Sequence, residues 1–317
     1  MVLKIYRKFT SEMLGRATYY ILLRLKINIH TRHLIIKSIK IFISPLLFIR
    51  SKNIKIYTEK FNDSEVYIKN HELSMPKGLL VGLEDLTTNL KDYFLNNRKK
   101  IEENFTIPYS LLIKPLGKTE EKFSKEQVEL VKPILKFSSQ PIIMSIMSKY
   151  LGTIPALYNL TLIYTPALKN DQNYINAQKF HRDTGDKNII HMVIPVMNIK
   201  KNNGPFTYIN AKKSKVIIDA LKHEDGRVDD DVIERFISPN EYTQLIGDVG
   251  SVWFLNPYHC FHFGARVKKG FRLLLIVSFS TPHEVIEGFN NLYRAKYRNK
   301  LIDNNSTQAE KHLLKHY

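Results

Sequence analysis

Apolar positions recur every three to four residues from about residue 85 to residue 150. The stretch LEDLTTNLKDYFLNNRKKIEENF keeps that period throughout, which predicts an amphipathic helix. FSKEQVELVKPILKFSSQPIIMSIMSKYLG extends it into one or two further helices, with breaks expected near Pro133 and Pro141. The texture then changes. From about residue 155, ALYNLTLIYTP, YINAQKFHRD, NIIHMVIPVMNI, PFTYI, YTQLI, GSVWFLN and FRLLLIVSFST are short and rich in β-branched and aromatic residues. Gly, Pro, Asn or Asp bound them, so they read as strands. Charged loops separate them, HEDGRVDDD at 223–231 among them. After Pro282 the pattern turns helical again and ends in a polar tail.

The order is helices, then seven or eight strands without intervening helices, then a closing helix. That order predicts a mainly β core, an antiparallel sandwich or barrel such as a jelly roll. Four segments follow from it: a basic aliphatic segment at 1–56, a mainly helical region at 57–154 packing on the core, the β core at 155–282, and a C-terminal helix and tail at 283–317.

Charge changes the picture only at the N-terminus. Residues 1–56 carry twelve Lys or Arg against Glu12 alone, +11 of the chain's formal +18. A basic surface favours an anionic partner: phospholipid, nucleic acid, or a phosphorylated or CoA-linked substrate. The longest uncharged run there, residues 41–49, is half of the roughly 20 residues a spanning helix needs, and Pro45 interrupts it. Interleaved Lys/Arg and Ile/Leu/Phe suit an amphipathic segment lying on an anionic membrane, or equally a helical subdomain with its basic face in water. The single cysteine, Cys260, excludes an intramolecular disulfide and fits a reducing compartment. With no recognisable cleavable signal, the expected location is the cytoplasm, with peripheral membrane contact through 1–56 left open.

Candidate chemistry lies in two H-x-D triplets, His181-Arg182-Asp183 and His223-Glu224-Asp225. About one is expected by chance in a chain this long. The second sits among acids and Gly and reads as a solvated loop. The first closes a strand, INAQKF, where residues i and i+2 face the same way and converge on one ion. Two histidines and one carboxylate on one side of an octahedron are typical of Fe(II) oxygenases. The missing histidine is His259 or His262, which face opposite sides if both lie on one strand. His262 is favoured because Arg272 follows ten positions later on an apolar strand. A buried Arg there needs a carboxylate, and its fork suits the far carboxylate of 2-oxoglutarate.

The strings AQKFHRD, NNGPFTYI and FHFGARVKKGFRLLL resemble the phytanoyl-CoA dioxygenase-like family of Fe(II)/2-oxoglutarate oxygenases, over residues 155–282. The resemblance implies a double-stranded β-helix, Fe(II) on His181, Asp183 and His262, and 2-oxoglutarate held by Arg272 with Gln178 nearby. It also implies use of O2 and release of succinate and CO2. Asp183 favours hydroxylation, since related halogenases carry a small residue there. The chain departs from the family at NAKKS after GPFTYI, at LNPYHCF before the second His, and at Phe263-Gly264-Ala265 after it. These departures bear on the substrate pocket.

The expected substrate is a small or lipid-linked anionic metabolite. Nucleic acid is disfavoured, because the charge clusters outside the β region and no recognition motif accompanies it. The competing function is an inactive β-helix binding module recruited by the basic N-terminus to a membrane or acidic polymer. His191 and Cys260 read as core, Tyr208 and Trp253 as packing, and His259 as a supporting or surface residue. Arg182 points away from the metal, toward substrate or an acid.

Overall fold

The computed structural model describes residues 53–58, 66–103, 110–111, 125–167, 174–184, 187–281 and 300–314, with isolated positions between 21 and 38. Most of the basic segment 1–56, and with it the expected membrane-facing surface, lies outside the described residues. Among them no helix is long and apolar enough to cross a membrane.

Among the described residues eleven strands form two sheets: β1 (Glu72–Ser74), β2 (Ser110–Leu111), β3 (Ala156–Pro166), β4 (Phe180–His181), β5 (Ile190–Pro195), β6 (Thr207–Tyr208), β7 (Arg227–Val228), β8 (Thr243–Gln244), β9 (Trp253–Leu255), β10 (His262–Phe263) and β11 (Phe271–Ser280). The major sheet runs β1-β9-β5-β11-β3-β2 and the minor sheet β7-β4-β10-β6-β8, with every pairing antiparallel. From β3 onward the chain passes back and forth between the sheets, with β6, β7 and β8 all in the minor sheet, in the order of a double-stranded β-helix, the jelly roll expected from the strand texture.

The five main helices are α1 (Leu83–Glu103), α2 (Lys125–Ser138), α3 (Pro141–Leu151), α4 (Ala211–Leu221) and α5 (Gln308–Leu313). Leu83, Leu86, Leu90 and Phe94 make the buried stripe of α1 at helical spacing. With buried residues of α2 and α3 they cover the outer face of the major sheet, against Met192, Ile194, Leu273, Leu275, Val277 and Phe279. Phe94 packs on Tyr164 and Phe271, with ring centroids 4.9 and 5.3 Å away. A second cluster, Phe180, Ile209, Ile217, Phe261 and Phe263 among it, covers the outer face of the minor sheet under α4. A third, with Val193, Phe206, Tyr208, Leu255, Cys260 and Leu274, lies between the sheets.

Three expectations are corrected, and that of a mainly helical region at 57–154 is refined. Pro133 lies inside α2 and does not end it: the ring is exposed, while Val131, Ile134 and Leu135 stay buried and hold the helix through the missing hydrogen bond. The region read as helical, 57–154, also supplies two short strands, β1 and β2, too brief to leave a periodic signal. Helix α4 interrupts the run of strands, started by Asn210, whose side chain caps the Lys213 amide. The final segment, read as a polar tail, buries Leu313 and Leu314 against the helical layer.

Phe94→Ala should cost about 3–5 kcal/mol, because it opens a cavity where helix meets sheet. Urea unfolding checks this through a lower midpoint at an unchanged slope.

Candidate metal centre

β4 and β10 are adjacent antiparallel strands, with His181 directly opposite His262. Their apolar neighbours Phe180 and Phe263 point outward into the α4 cluster, so both imidazoles point between the sheets. The strand that carries His181 is shorter than expected: Asn176–Gln178 is a 3-10 turn, and only Phe180–His181 is extended. Asp183 follows, anchored through its amide to the Pro257 carbonyl at 3.0 Å.

His181, Asp183 and His262 bring one ligand atom each within 4.8 Å of one another. The Nε2 atoms of both histidines lie 3.9 Å from Asp183 Oδ1. The orientation of each ring is fixed from behind. His181 Nδ1 donates to the Lys179 carbonyl at 2.8 Å and His262 Nδ1 to the Cys260 carbonyl at 3.0 Å, so each Nε2 lone pair faces the common centre. Burial lowers the pKa of His181, and burial followed by its neighbour His181 pushes His262 down to about 3. Loss of hydration alone raises the Asp183 carboxyl. The His191 hydrogen bond and the surrounding imidazoles outweigh it and hold the group below the usual carboxylate range.

His191 is more than a core histidine. Its Nε2 donates to Asp183 Oδ2 at 2.9 Å, and its Nδ1 accepts from the Ser278 hydroxyl at 2.9 Å. Oδ2 is therefore engaged and Oδ1 is turned toward the two histidines. Two imidazoles and one carboxylate oxygen, all on one side, suit a divalent first-row metal with open positions opposite. The donor set fits the ion expected from the sequence.

Arg272 lies on β11 opposite Thr165 of β3 and is 3% exposed. Nη1 donates to the Gly204 carbonyl at 2.8 Å and Nη2 to Thr165 Oγ1 at 3.3 Å, while Nε is buried without a partner. Burial lowers its pKa to about 10, so the guanidinium is charged at neutral pH. Among the described residues no carboxylate pairs with it, and a buried lone cation is costly.

Two glycines let the backbone approach. A Cβ on Gly264, two residues after His262, would sit 3.3 Å from Arg272 Nη1. Gly204 has φ +68°, and a Cβ there would lie 2.7 Å from the Val267 nitrogen. Phe206, two residues past Gly204, stacks on His262 at 5.1 Å and 12°. The segments holding Arg272 thus continue into the triad.

The other candidates lie elsewhere. His259 stacks on His71 at 3.9 Å. The Gln178 side chain accepts from the Ile175 amide and donates to the Ala265 carbonyl, bracing its own loop. Ala265 holds a left-handed φ of +63°, a conformation that favours Gly. Arg182 points away from the triad and donates to the carbonyls of Tyr258, His223 and Glu224. The second H-x-D triplet is thus a clamp on the first loop. Pattern reading missed His191 and Ser278; the one available signal is that each lies at an inward position of its strand.

No family model matches the chain, and no curated protein does. Solved structures are similar in shape. EctD from S. alaskensis with 2-oxoglutarate and 5-hydroxyectoine is 9% identical over 73% of this chain and 82% of its own, at a TM-score of 0.48. The epimerase SnoN in complex with Fe3+, alpha ketoglutarate and nogalamycin RO is 10% identical over 84% and 93%, at 0.42. The apo non-heme monooxygenase ThoJ is 11% identical over 77% and 94%, at 0.44. At such identities and scores the fold assignment rests on the strand order described above.

Two outcomes follow from this geometry. His191→Phe removes the donor to Asp183 Oδ2 and should weaken Co(II) binding by roughly 10–100-fold, read by titration calorimetry. In metal-free protein, stability should fall as pH drops from about 6.5 toward about 3, because the unfolded chain protonates His262 first. Thermal melts across that range check it, and His262→Gln should flatten the profile.

Proposed function

We propose that the protein is an Fe(II)- and 2-oxoglutarate-dependent oxygenase that hydroxylates a C–H bond. The overall balance is substrate, 2-oxoglutarate and O2 giving alcohol, succinate and CO2. The observation that carries this reading is the buried Arg272 guanidinium, without a counter-ion among the described residues, in the same inter-sheet space as His181, Asp183 and His262. A metal triad alone serves many reactions. A triad together with an unneutralised buried Arg calls for a ligand with a carboxylate at one end and metal-binding oxygens at the other.

In this reading His181, Asp183 and His262 hold Fe(II). Arg272, with the Thr165 hydroxyl beside it, takes the far carboxylate of 2-oxoglutarate. His191 and Ser278 keep Asp183 oriented, and Gln178 shapes the adjoining loop. The bound iron supplies the oxidative chemistry with O2; the chain supplies ligand geometry and a buried, water-poor interior. The motif resemblance over 155–282 supports the same assignment. The charge of residues 1–56 supports a small or lipid-linked anionic substrate, met at an anionic membrane surface or in the cytoplasm.

Anaerobic addition of Fe(II) and then 2-oxoglutarate should produce a weak visible charge-transfer band. His181→Ala should abolish it, and Arg272→Ala should raise the 2-oxoglutarate concentration for half-saturation by at least about tenfold, the loss of a charge-assisted hydrogen bond. Folded, iron-replete wild type without the band would sink the reading and favour the inactive binding module.

A further inference from the structure

One polar group in the barrel is left unused by this chemistry. Glu72 on β1 is in register with Leu255 of β9, and Leu255 with His191 of β5. Directly opposed residues of an antiparallel sheet share a face, so Glu72, Leu255 and His191 form one row, continued by Ser278 on β11. His191 points between the sheets, since it meets Asp183, and Glu72 therefore does too. The next residue agrees: Leu73 packs on the helical layer outside.

Glu72 thus stands two strand spacings, about 10 Å, from His191. From the opposite sheet, Tyr208 pairs with His262 and shares its inward face. Its hydroxyl interacts with Glu72 and Thr243, and burial followed by the Glu72 carboxylate pushes its pKa up. Glu72 Oε2 is buried and has no hydrogen-bond partner. Among the described residues no Lys, Arg or His pairs with Glu72. The residue as a whole is only partly buried. An inward carboxylate without a cation is the mirror image of Arg272, and it sits on the triad's side of the barrel.

We propose that Glu72, flanked by Tyr208 and Thr243, is the subsite for a cationic nitrogen of the substrate, an ammonium or amidinium about 10 Å from the His191–Asp183 pair. The proposal rests on the oxygenase reading for what happens to that substrate, but not for its binding. It names the end of the molecule held inside the barrel; an anionic group elsewhere on the same molecule is compatible with it. The hydroxylated carbon is then several bonds from the nitrogen.

The test is a saturation-transfer NMR titration of the full chain, with 2-oxoglutarate present, using cyclohexylammonium, cyclohexanol and cyclohexanecarboxylate. The ammonium probe should bind at least about tenfold more tightly than the other two, the effect of one charge-assisted contact in a shielded site. Glu72→Gln should reduce it to the level of the alcohol. If Glu72→Gln does not fold, Glu72→Asp, with its carboxylate drawn back by one methylene, should reduce the preference instead. Equal binding of ammonium and alcohol, or a preference that survives loss or retraction of the Glu72 carboxylate, overturns the proposal. Arg272→Ala should keep the preference while weakening the 2-oxoglutarate band, which separates the two readings. A band without ammonium preference overturns this subsite alone; a Glu72-dependent preference without a band overturns the oxygenase reading alone.

Discussion

The alternation of β11 at the centre of the major sheet is the constraint on which both the fold and the candidate site depend. Its odd positions Leu273, Leu275, Val277 and Phe279 join the helical layer, while Arg272, Leu274, Ile276 and Ser278 face the minor sheet. A strand cannot shift by one residue without exchanging these two sets. Burying four large apolar side chains under α1–α3 therefore also fixes where the guanidinium and the Ser278 hydroxyl point. Stability and chemistry share one register.

The same logic spreads sideways along the pairing. Ser278 meets His191, which orients Asp183, which stands before His181 and His262. The first two links are hydrogen bonds of 2.9 Å, and the last brings Asp183 Oδ1 to 3.9 Å from both imidazoles. On the minor sheet, the outward Phe180 and Phe263 lock into the α4 cluster and leave the two histidines inward. The ligand-holding ends of the site are thus held by apolar packing behind them, and polar contacts only trim their orientation.

Charge inside the barrel is divided among distinct places. A carboxylate with two imidazoles forms the candidate metal centre, Arg272 lies without a carboxylate partner among the described residues beside Gly204, Thr165 and Gly264, and Glu72 lies in the row beyond Leu255. A folded chain gains no stability from leaving buried opposite charges apart. In the proposed function and subsite, ligands supply the missing partners: cosubstrate at Arg272, metal at the triad, substrate at Glu72.

Much of this was written in local sequence. The strand texture from residue 155, the helical period of α1, the H-x-D spacing and the Arg ten residues after His262 are short-range patterns, set by side-chain direction in one element at a time. They sufficed for the jelly-roll class and for naming His181, Asp183 and His262, which the fold brings within 4.8 Å of one another. What they could not carry depends on pairings between distant segments. β1 is three residues long, and only its register against β9 turns Glu72 inward. His191 looks like any apolar-strand histidine until β5 is laid beside β11 and Asp183 comes within 2.9 Å. Arg182 and His223, 41 residues apart, become partners only through the folding of two loops. Local sequence determined which side of each strand is apolar; tertiary pairing decided which polar groups meet, because a hydrogen bond needs its partner within about 3 Å and sequence spacing says nothing of that distance.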